Sequence, residues 1–239
     1  MKKTVFITGG SRGIGAITVK KFLDGGYNVA YTYFKTSEDA LPYQMSDSVL
    51  PIRADARVSS DIDNAISLCV SRFGGIDVLI NNAGISEFSL FTDITNEMWD
   101  NMISSNLSSA FYTSRAVLPT MISKKSGVIL NVSSMWGEVG ASCEVHYSAA
   151  KAGLIGLTKA LAKEVGLSGI RVNCVSPGLI ETDMTSNLSD EDKECLIDET
   201  PLARIGKPID IANTLYYLAS DEASFITGQV IGVNGGFII

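Results

Sequence analysis

Short β-branched or apolar runs alternate with longer amphipathic stretches from one end of the chain to the other. The runs are "TVFIT" (4–8), "NVAYTY" (28–33), "VLPIRA" (49–54), "DVLINNA" (77–83), "GVILNVSS" (127–134), "IRVNCVS" (170–176) and "VIGVN" (230–234). Between them, residues 13–25, 59–73, 97–120, 147–167 and 208–219 have helical periodicity, with Gly25, Gly26 and Gly166 as stop signals. Strands that alternate with helices predict a parallel sheet covered on both faces. No tandem repeat, low-complexity tract or linker interrupts the pattern, so the expectation is one α/β domain over residues 1–239 with a doubly wound parallel sheet.

Composition narrows the classes of function. With 239 residues, 46% of them hydrophobic, the chain can bury a large core. Its 26 acidic side chains exceed its 19 basic ones, which argues against a nucleic-acid partner, because backbone binding depends on clustered positive charge. No stretch approaches the roughly 20 apolar residues of a membrane span. The opening "MKKTVFITGGSRG" reaches glycine and arginine too early for a signal peptide, so no membrane association is expected and the cytoplasm is the expected compartment. Cys69, Cys143, Cys174 and Cys195 form no C-x-x-C pair and His146 is the single histidine, so no metal site is expected.

The first strand runs into "TGGSRGIG", Thr8 to Gly15, and then into a helix. Gly9, Gly13 and Gly15, with Ser11 and Ile14 between them, suit a tight turn whose backbone N–H groups approach a phosphate at the positive end of a helix dipole. At the end of the second strand, where an NAD site wants a carboxylate, stand Tyr33 and Phe34, followed by Lys35, Thr36 and Ser37. Together with Arg12 in the glycine turn, these two cations and two hydroxyls favour a 2′-phosphate and therefore NADP(H).

Tyr147 and Lys151, in "HYSAAKAG", are four residues apart and share a helix face. A neighbouring ammonium, with the positive nicotinamide of the oxidised complex, favours phenolate, so the tyrosine's pKa is expected to fall toward a range useful for general acid–base work. On its own, such a pair is a weak signal.

Its companions strengthen it. "TGGSRGIG", "NNAG" (81–84), Asn106 in "SSNLSSAF", Ser134 in "NVSSMWG", "YSAAK" (147–151) and "SPGLIETDM" (176–184), in this order, resemble the short-chain dehydrogenase/reductase family over nearly the whole chain. The resemblance implies a Rossmann-like fold, a homotetramer, and a set of roles. Tyr147 would be the catalytic acid/base, Ser134 would hydrogen-bond the substrate oxygen, Lys151 would hold the nicotinamide ribose, and Asn106 would position water in a proton relay. Ser133 competes with Ser134, but the thirteen-residue spacing to Tyr147 favours Ser134. Asp55 would meet the adenine, Asn82, Ala83 and Gly84 would line the cofactor, and Pro177, Gly178, Ile180 and Thr182 would flank the nicotinamide. A full set of catalytic residues argues against a silent NADP-binding sensor.

Within the family, "YSAAKAGLIGLTKALAKE", "PGLIETDM", "PLARIGKP" and "VNGG" resemble 3-oxoacyl-[acyl-carrier-protein] reductases. Such enzymes greet an acidic carrier with basic residues; Lys125 matches one of these positions, while Ser168 stands at the other. The loop "SMWGEVGASCEVHYS", with "LFTDIT" (90–95), resembles the branch containing the reductase of the 5-aminopentanone group on elongation factor P. In that alternative Glu144 would pair with a cationic substrate and Trp136 would line the pocket; otherwise Trp136 packs, and Glu138 and Glu144 face water. His146 reads as a surface or packing residue.

Overall fold

The computed structural model of the chain describes residues 2–185 and 189–239. Seven parallel strands form one sheet: β1 (Thr4–Ile7), β2 (Asn28–Tyr33), β3 (Val49–Arg53), β4 (Val78–Asn81), β5 (Gly127–Val132), β6 (Ile170–Pro177) and β7 (Val230–Val233), in the order β3-β2-β1-β4-β5-β6-β7. The order reverses between β1 and β4, and a crevice at the carboxyl ends of strands at such a switch point is the ordinary ligand site of an open α/β sheet.

Eight α-helices are described: α1 (Gly13–Asp24), α2 (Ser59–Phe73), α3 (Asn96–Ile103), α4 (Ser109–Lys124), α5 (Trp136–Val139), α6 (Val145–Val165), α7 (Asp190–Asp198) and α8 (Pro208–Ala219). Successive strand residues serve opposite layers. Val5, Ile7, Val29, Tyr31, Val78 and Ile80 pack with Val19 and Phe22 of α1 and Ile211, Leu215 and Leu218 of α8. Phe6, Ala30, Leu79 and Ile129 pack with Ile62 and Ile66 of α2, Val117 and Met121 of α4, and Ala162 and Val165 of α6. Each large side chain so buried contributes about 1.5–3 kcal/mol. Burial on both faces is why the strands read as almost continuous apolar runs.

A polar chain crosses the second layer. Thr113 Oγ1 of α4 donates to Asn81 Oδ1 (2.5 Å), Asn81 Nδ2 to Asn131 Oδ1 (2.8 Å), and Asn131 Nδ2 to Thr158 Oγ1 of α6 (2.8 Å). Asn81 and Asn131 are register partners on β4 and β5.

The expected helix over 97–120 is not continuous. A π turn over Ser104–Ser108 separates α3 from α4, and the Ser109 N–H reaches back to Ser104 O. The turn takes in an extra residue, a device common at functional sites. Helices α5 and α7 were not legible: the first is a single turn, and "DEDKECLID" of α7 lacks an apolar stripe. No helix among the described residues is long and apolar enough to cross a membrane.

Candidate active site

The carboxyl end of β1 opens into the glycine turn. Gly9 has φ +68° and Gly13 φ +52°, values that L side chains rarely adopt. A Cβ on Gly9 would lie 3.0 Å from Ala83 Cα, and one on Gly15 would lie 2.0 Å from Gly9 O. Arg12 at the N-cap of α1 makes no capping bond through its side chain, and the first helical turn carries no acid. Space that a side chain would fill, at an uncapped helix start, fits the diphosphate of a dinucleotide.

Thr8 and Asn82 stitch this turn to β4. Thr8 Oγ1 accepts the N–H groups of Asn82 and Ala83, both at 3.0 Å, while Asn82 Nδ2 donates to Thr8 O and Gly9 O. Asn82 thereby shapes the turn with its side chain. Thr8 went unnoticed as a contributor because a threonine at a strand end has no distinctive signature.

The residues expected around a 2′-phosphate are partly gathered. Ser11 Oγ and Thr36 Oγ1 are 2.9 Å apart, which joins the glycine turn to the end of β2. Lys35 is exposed and close enough to help lower the Asp55 pKa, and Ser37 precedes the short turn Glu38–Ala40. Two positions depart from expectation. The Tyr33 side chain turns into the core and donates its hydroxyl to Glu38 Oε1 (2.9 Å), because inward-facing positions of β2 are claimed by packing. The Arg12 guanidinium lies 3.8 Å from Asp183 Oδ2, on the loop after β6.

Asp55 also differs from the simple picture. Its carboxylate is held by Arg57, with Nε at 3.0 and 3.1 Å from its two oxygens and Nη2 at 2.6 Å. That bidentate pairing lowers the Asp55 pKa. Arg57 also donates to Asn101 Oδ1 (2.8 Å) and lies 5.8 Å from the Phe34 ring centroid. Its role could have been suspected from the i, i+2 spacing of acid and base in "DAR".

On the other side of the switch point, β5 delivers two serines with different fates. Ser133 Oγ donates to Lys151 O (2.9 Å), so it anchors the backbone of α6. Ser134 Oγ accepts the Trp136 N–H (3.2 Å) and hydrogen-bonds toward Tyr147, drawing the phenol's pKa down. The two serines thus serve different neighbours, Ser133 the backbone of α6 and Ser134 the start of α5 and Tyr147.

Tyr147 and Lys151 are both buried at the start of α6. Burial pushes the Tyr147 phenol up to about 12, against the pull of Ser134 and helped by the negative charge of Glu144. Burial pushes Lys151 down to about 8, with Cys174 opposing. In the protein without cofactor, desolvation thus dominates the phenol's proton affinity, with the Lys151 ammonium 5.7 Å from the ring centroid. Lys151 Nζ donates to Val132 O (2.9 Å).

Gly84 brings the remaining members together. A Cβ there would meet Asn106 Oδ1 at 2.5 Å and Lys151 Nζ at 3.4 Å. Asn106, inside the π turn, accepts the Ile85 N–H (3.2 Å) and donates to Ile85 O and Met102 O. Its amide thus holds the backbone just after "NNAG".

The loop after β6 closes the crevice from the far side. Pro177 O accepts the Met135 N–H, and Gly178 N–H donates to Val233 O. Ile180 is buried, and Thr182 Cγ2 would lie 3.5 Å from a Cβ on Gly13, so the loop stands over the glycine turn. Trp136 packs beside Met102 and Tyr147 and edge-on to Phe237, with centroids 5.7 Å apart. Glu144 is 4% exposed rather than facing water, and accepts the Ser86 hydroxyl at 2.5 Å. His146 is a packing residue with neither ring nitrogen partnered, while Lys125 is exposed at the end of α4.

Comparison with known proteins agrees with this architecture. A family model described as Enoyl-(Acyl carrier protein) reductase matches residues 9–238. The 3-oxoacyl-[acyl-carrier-protein] reductase FabG of Staphylococcus aureus is 43% identical over 99% of this chain and 98% of its own length. The proteins of that name from Staphylococcus epidermidis and Chlamydia trachomatis are 41% and 40% identical, over 99% of this chain and 99% and 97% of theirs. The chain belongs to the short-chain dehydrogenase/reductase family, oxidoreductases that act on a carbonyl or hydroxyl group with a nicotinamide cofactor.

Proposed function

We propose that the chain reduces the ketone of a β-ketoacyl thioester carried on acyl carrier protein, using NADPH, as a cytoplasmic homotetramer. The observation that carries the reading is the buried cluster of Ser134, Tyr147 and Lys151 beside the glycine turn. The names of the full-length relatives support the substrate class.

In this reading the glycine turn and Thr36 would hold the dinucleotide, which when bound would supply a hydride for the ketone carbon. Ser134 and Tyr147 offer two hydroxyl donors to the ketone oxygen. With its pKa near 12, Tyr147 is a neutral phenol at physiological pH, the form that can give a proton as the carbon–oxygen bond becomes an alcohol. The phenolate left behind is stabilised by the Lys151 ammonium and regains its proton from water. Lys151, near 8, is largely protonated at neutrality and releases that charge as pH rises. Preference for NADPH draws support from Lys35, from the Ser11–Thr36 pair, and from the absence of an acid at Tyr33 and Phe34.

The elongation factor P alternative needs a carboxylate presented to a cation. Glu144 gives it little, since burial raises its pKa and Ser86 already occupies an oxygen.

The test is NADPH oxidation by the purified protein with acetoacetyl-acyl carrier protein, compared with 5-aminopentanone-modified elongation factor P and repeated with NADH. Preferred turnover of the thioester with NADPH is expected. Preference for the modified protein would overturn the substrate assignment, and equal rates with NADH would overturn the cofactor assignment.

A further inference from the structure

Two loops that frame Tyr147 are joined by a buried acid and by one backbone hydrogen bond. The segment after "NNAG", residues 85–95, meets the segment before α6 through the Ser86 hydroxyl on Glu144 Oε1 (2.5 Å) and the Ser89 N–H on Cys143 O (2.8 Å). Glu144 is the N-cap residue of α6 but caps no N–H with its side chain, so its carboxylate is committed to the other loop. A carboxylate that is 4% exposed with one hydroxyl partner is costly to keep unless it performs a task.

We propose that Glu144 is a positioning residue: it ties the 85–95 loop to the start of the catalytic helix beside Tyr147. The inference rests on the acid–base role assigned to Tyr147 above.

On its own helix the titratable neighbours of Tyr147 are Glu144, His146 and Lys151. From the end of β5 comes Ser134; from α3, Met102; from the "NNAG" segment, Ile85; and from α5, Trp136. Glu144 reaches this group through the loop, because Ser86 follows directly on the Ile85 backbone that Asn106 holds on both sides.

Three variants test the tether. Glu144→Gln keeps an oxygen for the Ser86 hydroxyl, and its KM for acetoacetyl-acyl carrier protein should stay within about twofold. Ser86→Ala keeps the acid and removes the tether, so KM should rise several-fold with kcat little changed. Glu144→Ala should show the same rise. Amide hydrogen exchange at Ser89 should quicken in Ser86→Ala and Glu144→Ala but not in Glu144→Gln, and this readout needs no substrate. Unchanged Ser89 exchange and KM in Glu144→Ala would overturn the tether. Failure of the parent reading would look different: no turnover of the thioester by the unmodified protein, or retained turnover in Tyr147→Phe.

Discussion

Along the glycine turn, Gly9 and Gly15 leave room where a Cβ would collide with Ala83 or with Gly9 O, whereas the start of α6 is filled with buried side chains. One end of the crevice is a backbone surface at a helix start; the other is a pair of ionisable groups taken out of water. The contrast teaches that two kinds of sensitivity coexist within one site. The backbone end depends on steric tolerance and on fixed dipoles, which pH does not change. The side-chain end depends on proton affinities set by burial, displaced in opposite directions for Tyr147 and Lys151.

The largest effect should come from the side-chain end. Tyr147→Phe should lower kcat by about 10³-fold while leaving NADPH affinity within a few-fold, as measured by steady-state kinetics and titration calorimetry. Near-normal turnover would remove the proton donor from the scheme.

Next comes a pH effect on stability. The folded value of Lys151, about 8, lies below its ordinary 10.5, so between those values the unfolded chain holds a proton that the folded chain has released. This group's contribution to stability therefore rises with pH across that window. Lys151→Met, which removes the buried ammonium, should gain stability relative to the parent near neutrality, and the gain should shrink by about 3 kcal/mol from the lower to the upper end of the window. Urea unfolding of both proteins across the window checks it; a constant difference would mean that the ammonium is not desolvated.

At the backbone end, Gly15→Ala should weaken NADPH binding by about 100-fold through displacement of the Gly9 carbonyl, with little change in the pH profile. The smallest effect is expected for Lys35→Ala: about a tenfold loss of NADPH affinity and almost none for NADH. Equal losses for both would detach Lys35 from the 2′-phosphate.

The same contrast explains what could be read from the sequence. Strand positions were legible because burial on two faces writes continuous apolar runs, and the glycine turn was legible because few residues other than glycine tolerate its dihedrals. Tyr147, Lys151 and Ser134 were legible as types and spacings, but the direction of the tyrosine's pKa was not, since it depends on how much water the fold excludes. The π turn at Ser104–Ser108 left no mark on the 97–120 periodicity, because one added residue only rotates the apolar face. Tyr33 was misread for a related reason: strand position gives which side a residue faces, and the inner side at β2 belongs to the core. The engagement of Glu144 by Ser86 depends on loop courses that no local pattern encodes.

The polar chain from Thr113 through Asn81 and Asn131 to Thr158 bears on which strand pairings the folding chain can accept. A slip of one residue between β4 and β5 would set Asn81 against Leu130 or Val132 and break the amide–amide bond between Asn81 and Asn131 in a dry layer. Misaligned sheets are thereby disfavoured by a few kcal/mol, roughly the cost of stranding these groups. Because Asn82, Ala83 and Gly84 follow Asn81 directly, the correct alignment also fixes the spacing between the nucleotide loop and the catalytic helix before any ligand arrives.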